Sequence, residues 1–283
     1  MTSAPDRHFD LQDFVRRVLA EDMGSGGDVT SKATIAADAR FAAEMNCREP
    51  ITLAGLDIAA AFFRALDREV RIERLAGDGD SVAAGTVLMR LDGNARAMLA
   101  AERSALNTLQ HLSGIATLTR RYADAIAGTT AVLLDTRKTI PGLRLLDKYA
   151  ARMGGAENHR MRLDDGVLIK DNHVAVAGGV AAAVRAAKAA DTGLEVQVEV
   201  DRLDQIEPAL EAGADRLLLD NMEPATLKRA VALVAGRVKC EASGGVNLDT
   251  IRGIADSGVD YISVGRITQS APAVDIGLDY ALQ

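Results

Sequence analysis

The sequence is poor in aromatic side chains: no tryptophan, five phenylalanines and four tyrosines among 283 residues. Nucleic-acid binders need basic grooves and stacking platforms. So few rings, with a formal net charge of −7, argue against that class of partner. No apolar run approaches the ~18 residues of a membrane span, so no membrane partner is expected. The first residues, MTSAPDRHFD, lack the basic-then-apolar pattern of a secretory signal, which points to a cytoplasmic protein. Only two cysteines occur, Cys47 and Cys240, far apart and outside any CxxC spacing. They suggest neither a disulfide framework nor a zinc site. There is no GxSxG nucleophile elbow. The run Gly24-Ser-Gly-Gly27 lacks the Gly-Lys-Ser/Thr of a nucleotide P-loop.

What is present is a globular composition, 48% hydrophobic and 26% charged, long enough for one large or two modest domains. All five phenylalanines fall between Phe9 and Phe63. Beyond them the apolar residues are mainly Ala, Val, Leu and Ile, so two regions with differently built cores are expected. Residues 56–66 have helical spacing in Ile58, Ala59, Phe62, Phe63 and Leu66. Residues 70–91 read as short strands broken by Gly77, Gly79 and Gly85. A helix is expected over about 95–127, and Gly114 in its middle either weakens it or marks a close contact.

From Thr130 the pattern turns regular. Short β-rich runs at 132–135, 167–170, 195–200, 216–220, 238–242 and 261–265 alternate with Ala/Leu-rich amphipathic stretches such as 180–190, 203–212 and 224–234. Alternating strands and helices imply parallel strands with right-handed crossovers. Glu199, Asp220, Glu241 and Ser263 recur at intervals of 21, 21 and 22 residues, the period of βα units in a barrel. Each run ends in polar residues: Asp135 with Arg137 and Lys138, Lys170 with Asp171, Glu199, Asp220, Glu241 with Ser243, and Ser263. Any one of these could be an ordinary cap or loop residue. Six in phase point to a site, because barrel enzymes carry their chemistry at the C-terminal strand ends.

Charge is concentrated in residues 135–173, which hold eight Lys/Arg and six acids. That segment carries +2, which leaves −9 on the rest of the chain, so an acidic protein can still hold an anionic substrate locally. Arg137, Lys138, Arg160 and Lys170 lie on or beside strand ends, suited to carboxylate or phosphate recognition. For Arg144, Lys148 and Arg152 a solvated helix face is the favoured expectation. Ser243-Gly244-Gly245 and Val264-Gly265-Arg266 each follow a strand and precede a helical segment, where barrels often cradle phosphate. The plainer reading is two turns that need a positive φ. Glu199 and Asp220 are candidates for sugar hydroxyls or Mg²⁺. Lys170 could in isolation be a Schiff-base lysine. Together these features describe a barrel that joins an anionic acceptor to a phosphosugar.

The segments DTRKTIPGLR, KYAARMGGAENHRMRLDDGVLIKDNH, VEVD, LLLDNM, EASGGVN and GVDYISVGRITQSAPAVDIGLD, with the earlier EDMGSGGDVTS and AERSALNTLQHLSGIAT, resemble the quinolinate phosphoribosyltransferase family over Asp22 to Asp279. The resemblance implies an α/β type II phosphoribosyltransferase with an N-terminal α/β sandwich and an incomplete α/β barrel. The implied boundaries are 1–112 (joined by the tail 271–283) and 113–270. It implies a homodimer that uses Mg²⁺ and converts quinolinate and phosphoribosyl pyrophosphate to nicotinate mononucleotide, pyrophosphate and CO2 in NAD synthesis. By the same resemblance, Arg103, Arg137, His159, Arg160 and Lys170 grip the quinolinate carboxylates, with Arg103 reaching into the neighbouring subunit's site. Lys138, Glu199 and Asp220 surround the phosphoribosyl pyrophosphate, and the two acids approach the metal through its pyrophosphate. Lys138, Lys170, Glu199 and Asp220 are the implied catalytic set. Thr136, Ser243, Gly244, Gly245, Val264, Gly265 and Arg266 line the substrate. Competing readings are a molybdenum-locus paralogue acting on another acceptor, a Lys170 aldolase, and a non-catalytic phosphometabolite binder.

Overall fold

The computed structural model of the chain describes residues 9–280. Residues 1–8 of the N-terminal stretch read above, and 281–283 of the expected tail, lie outside the described residues. The chain divides into two compact units. One takes in the chain up to Thr119, Leu145–Gly155 and the segment from Ala271. The other comprises Arg120–Arg144 and Ala156–Ser270. The sequence boundaries at 112/113 and 270/271 did not anticipate that residues 145–155 join the first unit. No helix among the described residues is long and apolar enough to cross a membrane.

The first unit opens with α1 (Leu11–Met23), α2 (Val29–Thr34), β1 (Arg40–Cys47), β2 (Ile51–Thr52), α3 (Leu56–Leu66), β3 (Arg71–Arg74), β4 (Ser81–Val82), β5 (Val87–Asn94) and α4 (Ala95–Ala125). Asp10 caps α1 by accepting the Asp13 N–H, and Asp28 caps α2 by accepting that of Ser31. The glycine run 24–27 only links these two helices. β1, β5 and β3 pair antiparallel, and β1 also pairs with the C-terminal strand Ile276–Tyr280. Phe14, Phe62 and Phe63 are buried, with the Phe14 and Phe62 rings 6.1 Å apart edge-on, so the phenylalanine-rich region does build its own core. Gly114 marks a close contact: a Cβ there would stand 2.1 Å from the Pro272 carbonyl oxygen.

The second unit runs through β6 (Val132–Leu134), then, after α5 (Arg144–Gly154), β7 (Val167–Ile169), α6 (Asp171–Ala177), α7 (Val180–Ala189), β8 (Val196–Val200), α8 (Ile206–Glu211), β9 (Arg216–Asp220), α9 (Pro224–Val234), β10 (Lys239–Ser243), α10 (Ile251–Ala255), β11 (Tyr261–Ser263) and α11 (Arg266–Gln269). The chain ends in β12 (Ile276–Tyr280) of the first unit's sheet. The six barrel strands form one parallel sheet in the order β6-β11-β10-β9-β8-β7. β6 and β7 are its edges, which is the incomplete barrel the resemblance implies. Val198, Leu217, Leu219, Ala242 and Ile262, which alternate with the cavity-facing residues and so point to the helical layer, are all buried.

Helix α5 corrects the solvated-face expectation. Lys148 and Asp147 are wholly buried, and Tyr149 nearly so. The Arg152 guanidinium lies over the Tyr149 ring at 5.7 Å. Arg144 is half-buried and donates to Thr139 Oγ1 and the Met161 carbonyl. The physical reason is how closely α5 meets α4. A Cβ on Gly154 would sit 2.5 Å from the Ala116 carbonyl oxygen, and His111 Nε2 lies 2.8 Å from Asp147 Oδ1. A helix pressed this near its neighbour buries its flanks as well as its apolar stripe.

Candidate active site

The C-terminal ends of the barrel strands surround a cavity of about 750 Å³, within the range of small-molecule sites. Thirteen of the fifteen substrate residues expected from the sequence line it: Thr136, Arg137, Lys138, His159, Arg160, Lys170, Glu199, Asp220, Ser243, Gly244, Gly245, Gly265 and Arg266. The segment after β6 delivers Thr136, Arg137 and Lys138. The Thr136 hydroxyl accepts the Lys138 N–H at 3.0 Å, and the Lys138 carbonyl accepts the Thr268 hydroxyl at 2.9 Å, which fixes the turn. Arg137 Nε is buried and has no hydrogen-bond partner within the chain. A donor left this way inside a cavity is poised for a ligand.

Residues 158–160 are held from below. Asp135, fully buried, accepts the His159 N–H at 2.8 Å and the Asn158 amide at 2.5 Å. Asp135 therefore anchors the site's frame and is not among the cavity-lining residues, unlike the other polar strand ends. His159 Nδ1 accepts the Arg160 N–H at 2.7 Å, and Arg160 Nη1 donates to the Gly166 carbonyl at 2.8 Å. Burial, followed by repulsion from Arg137, lowers the Arg160 pKa. Asp165 offsets this only in part, and two cations this close make a site that favours an anion. Lys170 ends β7 and precedes α6, and His173 Nδ1 accepts its N–H at 3.0 Å. His173 is thus a helix cap and does not line the cavity.

Next to β7 stand β8 and β9 with their carboxylates. Burial raises both pKa values. Glu199 is pushed further up by Asp220, whereas Asn221, Lys138 and Lys170 partly counteract the rise at Asp220. Asn221 is in the left-handed region at φ 53° and donates its side-chain amide to Asp220 Oδ2 at 2.5 Å. Gly244, at φ 89°, is obligatory there: a Cβ would stand 2.2 Å from Asn221 Oδ1 and 2.8 Å from its backbone nitrogen. The second glycine loop differs. Gly265 has an ordinary φ of −66°, so the positive-φ reading fails for it. A Cβ there would lie 2.8 Å from Lys138 Cδ, so it would displace that side chain from its place in the cavity.

Two expected residues lie elsewhere. Val264 is 1% exposed, and its N–H is committed to the Leu134 carbonyl at 3.0 Å, so it offers a ligand neither side chain nor donor. Arg103 is exposed on α4 of the first unit and does not line the cavity.

Several lining residues were not singled out as substrate contacts: Asp171, Asn221, Glu241, Asn247, Ser263 and Gln269. Asp171 and Asn221 immediately follow strand-end residues, and that adjacency was the available signal. Glu241 was visible only as a beat of the 21-residue repeat. Register alone does not separate it from the other acids: Glu199 and Glu241 both pair with Leu218, and Ser243 pairs with Asp220. It is fully buried, accepting Gln197 Nε2 at 2.8 Å and ion-paired with the Arg216 guanidinium at 3.1 Å. Burial would raise its pKa, but His159, Arg216 and Gln197 together hold it below the usual carboxylate range.

An incomplete parallel barrel with a cavity at its strand ends that gathers cations and glycine loops defines an α/β-barrel enzyme built to hold anionic substrates. Comparison with known proteins narrows this. Residues 28–113 match the quinolinate phosphoribosyl transferase N-terminal domain, and residues 115–279 match the C-terminal domain of the same family. The nicotinate-nucleotide pyrophosphorylase [carboxylating] of Mycobacterium leprae is 43% identical over 97% of this chain and 99% of that protein. The solved nicotinate-nucleotide pyrophosphorylase of Francisella tularensis superposes with a TM-score of 0.91 at 42% identity, covering 96% of each chain. That of Ehrlichia chaffeensis gives 0.93 at 38% identity, covering 97% of this chain and all of the other. The chain belongs to the quinolinate phosphoribosyltransferase family.

Proposed function

We propose that this protein transfers the phosphoribosyl group of 5-phosphoribosyl 1-pyrophosphate to quinolinate with decarboxylation, giving nicotinate mononucleotide, pyrophosphate and CO2, as a step of NAD biosynthesis. One observation carries the reading: a single cavity gathers Arg137, Arg160 and Lys170, two glycine loops, and the carboxylates Glu199 and Asp220. A dicarboxylate suits the cations and phosphates the glycine loops. The family's relatives carry the matching name.

In this reading Arg137, Arg160 and Lys170 pair with the two quinolinate carboxylates and aim the ring nitrogen at the ribose. Ser243-Gly244-Gly245 and Gly265-Arg266 receive the phosphates through backbone and side chain, and Lys138 faces the leaving pyrophosphate. The C–N bond forms as the C–O bond to pyrophosphate breaks, and Glu199 and Asp220 stabilise the positive charge that develops on the ribose. The ring nitrogen is itself the nucleophile, so no protein base is required. The resulting pyridinium withdraws electrons from C2. CO2 then leaves, its bonding pair stays on C2, and a proton from solvent completes the product. Much of the rate comes from orientation.

The donor set fits Mg²⁺. Two half-buried carboxylates with raised pKa values gain from a cation, and Mg²⁺ is commonly held by one or two carboxylates with substrate phosphates. Glu199 and Asp220 would hold it jointly with the pyrophosphate, and it would supply neutralising charge to that leaving group. Among the described residues no cluster of three or more His, Cys, Asp or Glu could bind a metal without substrate. The same reading makes the enzyme a cytoplasmic homodimer with Arg103 completing the partner's site. Its exposure on α4 leaves it available for that role.

The test is pyrophosphate and CO2 release from quinolinate, phosphoribosyl pyrophosphate and Mg²⁺, with nicotinate as the comparison. CO2 from quinolinate is expected. Turnover of another acceptor only, or a borohydride-trapped adduct on Lys170, would replace this reading.

A further inference from the structure

Below the substrate cavity lies a connected set of buried polar groups that the reaction does not consume. Arg216 starts β9 at the far end of the barrel from the cavity mouth, with its guanidinium carbon 3.8 Å from the centre of the Tyr261 ring. It reaches up to Glu241 Oε2 at 3.1 Å. Gln197, 5% exposed on β8, donates to the same oxygen at 2.8 Å. His159 Nε2 stands 3.5 Å from it. The other oxygen, Oε1, is buried with no hydrogen-bond partner. One carboxylate oxygen thus accepts from Gln197 and is faced by the Arg216 guanidinium, an ion pair without hydrogen-bond geometry, and by His159, which belongs to the rim of the site.

The other side of the His159 ring settles its tautomer. Nδ1 accepts the Arg160 backbone N–H at 2.7 Å, so it carries no proton, and the ring proton is on Nε2, facing Glu241. Both ring nitrogens are engaged within the chain. The backbone of the same residue is held by Asp135, and the Arg160 guanidinium is held at its far end by the Gly166 carbonyl. Turning the ring would release the Arg160 amide and disturb the residue that carries that guanidinium.

The geometry points to Glu241 as a positioning residue. With Arg216 and Gln197 as its supports, it locks the His159 ring in the Nε2–H tautomer and thereby sets where Arg160 meets the acceptor's carboxylate. His159 then serves as a spacer between Glu241 and Arg160, and it neither gives nor takes a proton in the reaction. This rests, for its kinetic consequence, on the quinolinate reading above. The tautomer does not depend on it.

The experiment has two arms. Histidine-nitrogen NMR of the isotope-labelled wild-type protein, with His159 assigned by loss of its signals in His159→Asn, should show the Nε2–H form. An Nδ1–H form, or rapid exchange between tautomers, overturns the proposal whatever the substrate proves to be. For kinetics, Glu241→Met alone would strand the Arg216 charge in the interior, so the variant of choice is Glu241→Met with Arg216→Met. Replacing a buried pair by apolar groups of similar volume is often tolerated. The double variant should fold, lose the His159 tautomer signature, and raise KM for quinolinate with KM for phosphoribosyl pyrophosphate little changed. A misplacement of about 1 Å at a binding group costs up to ~100-fold in kcat/KM. Glu241→Gln should be rescued in part, because its carbonyl can occupy the Oε2 position and its amide can point along the unpartnered Oε1 direction. A folded double variant with wild-type KM for quinolinate overturns the proposal. Wild-type protein with no quinolinate turnover but a locked Nε2–H ring would instead sink the substrate assignment and leave the network standing.

Discussion

Replacing Gly114 by alanine should destabilise the protein, although the same change in most helices stabilises it. In α4 the substitution gains about 1 kcal/mol of helix propensity. Against that, the new Cβ would stand 2.1 Å from the Pro272 carbonyl oxygen and 3.1 Å from Ala273 Cα, both backbone atoms. Carbon–oxygen contacts settle at about 3.3 Å or more, so the C-terminal segment must retreat by roughly 1 Å. That segment is tied to α4 by the Gln110 amide donating to the Ile276 carbonyl at 2.7 Å and the Val274 N–H donating to the Gln110 carbonyl at 3.2 Å. Each bond contributes about 1 kcal/mol. Val274 and Ile276, 7% and 2% exposed, lose part of the ~1.5–3 kcal/mol that each gains from burial. The net expectation is a loss of about 2–4 kcal/mol, or a fall in Tm on the order of 10 °C at about 2–4 °C per kcal/mol. Gly253 in α10 is the control. A Cβ there meets only Pro224 Cγ at 3.5 Å, an ordinary contact, so Gly253→Ala should stabilise by up to about 1 kcal/mol. Denaturant unfolding of the two variants beside the wild type decides. Gly114→Ala at or above wild-type stability would refute the reasoning, since the propensity term would then have outweighed the contact.

Arg160→Ala or Lys170→Ala should lower kcat/KM for quinolinate by at least about 100-fold, as loss of one partner of a buried charge pair does, with Tm near wild type; near-normal kinetics in either would count against the assigned grip. Burial raises the Glu199 and Asp220 pKa values, so ionising them costs the ligand-free fold stability. That cost is absent below their unfolded-state pKa values and grows as pH rises through the folded ones. Glu199→Gln should therefore melt above wild type at pH 7.5, with the gap closing toward acid pH, while turnover is lost. A gap that widens on acidification would reverse the sign of the argument. Cys240 is 2% exposed, and burial with nearby Asp260 pushes its thiol up to about 11. The native protein should resist alkylation of Cys240 at pH 8, and mass spectrometry showing prompt labelling would contradict that environment.

Much of the fold was legible from pattern because the signals are local. The helix expected over 56–66 is α3, residue for residue, and all six β-rich runs beyond Thr130 became barrel strands. Parallel strands buried on both faces read as short apolar runs, and their polar ends stand out against them. The cavity follows from the same logic, since a barrel gathers its strand ends at one mouth and brings Arg137, Lys170, Glu199 and Asp220 together from 84 residues of chain. Less legible were features set by approach distances between elements. Lys148 reads as an exposed helix charge until α5 is seen pressed onto α4 through Gly154. Val264 reads as part of a phosphate loop until its N–H is found in a bond to Leu134.

The sequence by itself determined the barrel's period, the phenylalanine-built first core, the cationic segment hidden in an acidic chain and most of the residues that line the site. These depend on composition and spacing along one strand or helix. Only the tertiary structure decided depth. Glu199, Asp220 and Glu241 are equivalent beats of one repeat, and Glu199 and Glu241 even share a register row opposite Leu218. Glu199 and Asp220 remain half-buried with raised pKa values, while Glu241 is enclosed, hydrogen-bonded by Gln197 and faced by Arg216 and His159, which hold its pKa low. What separates a carboxylate that faces substrate from one that holds the site in place is the set of partners packed around it, and those come from residues distant in the chain.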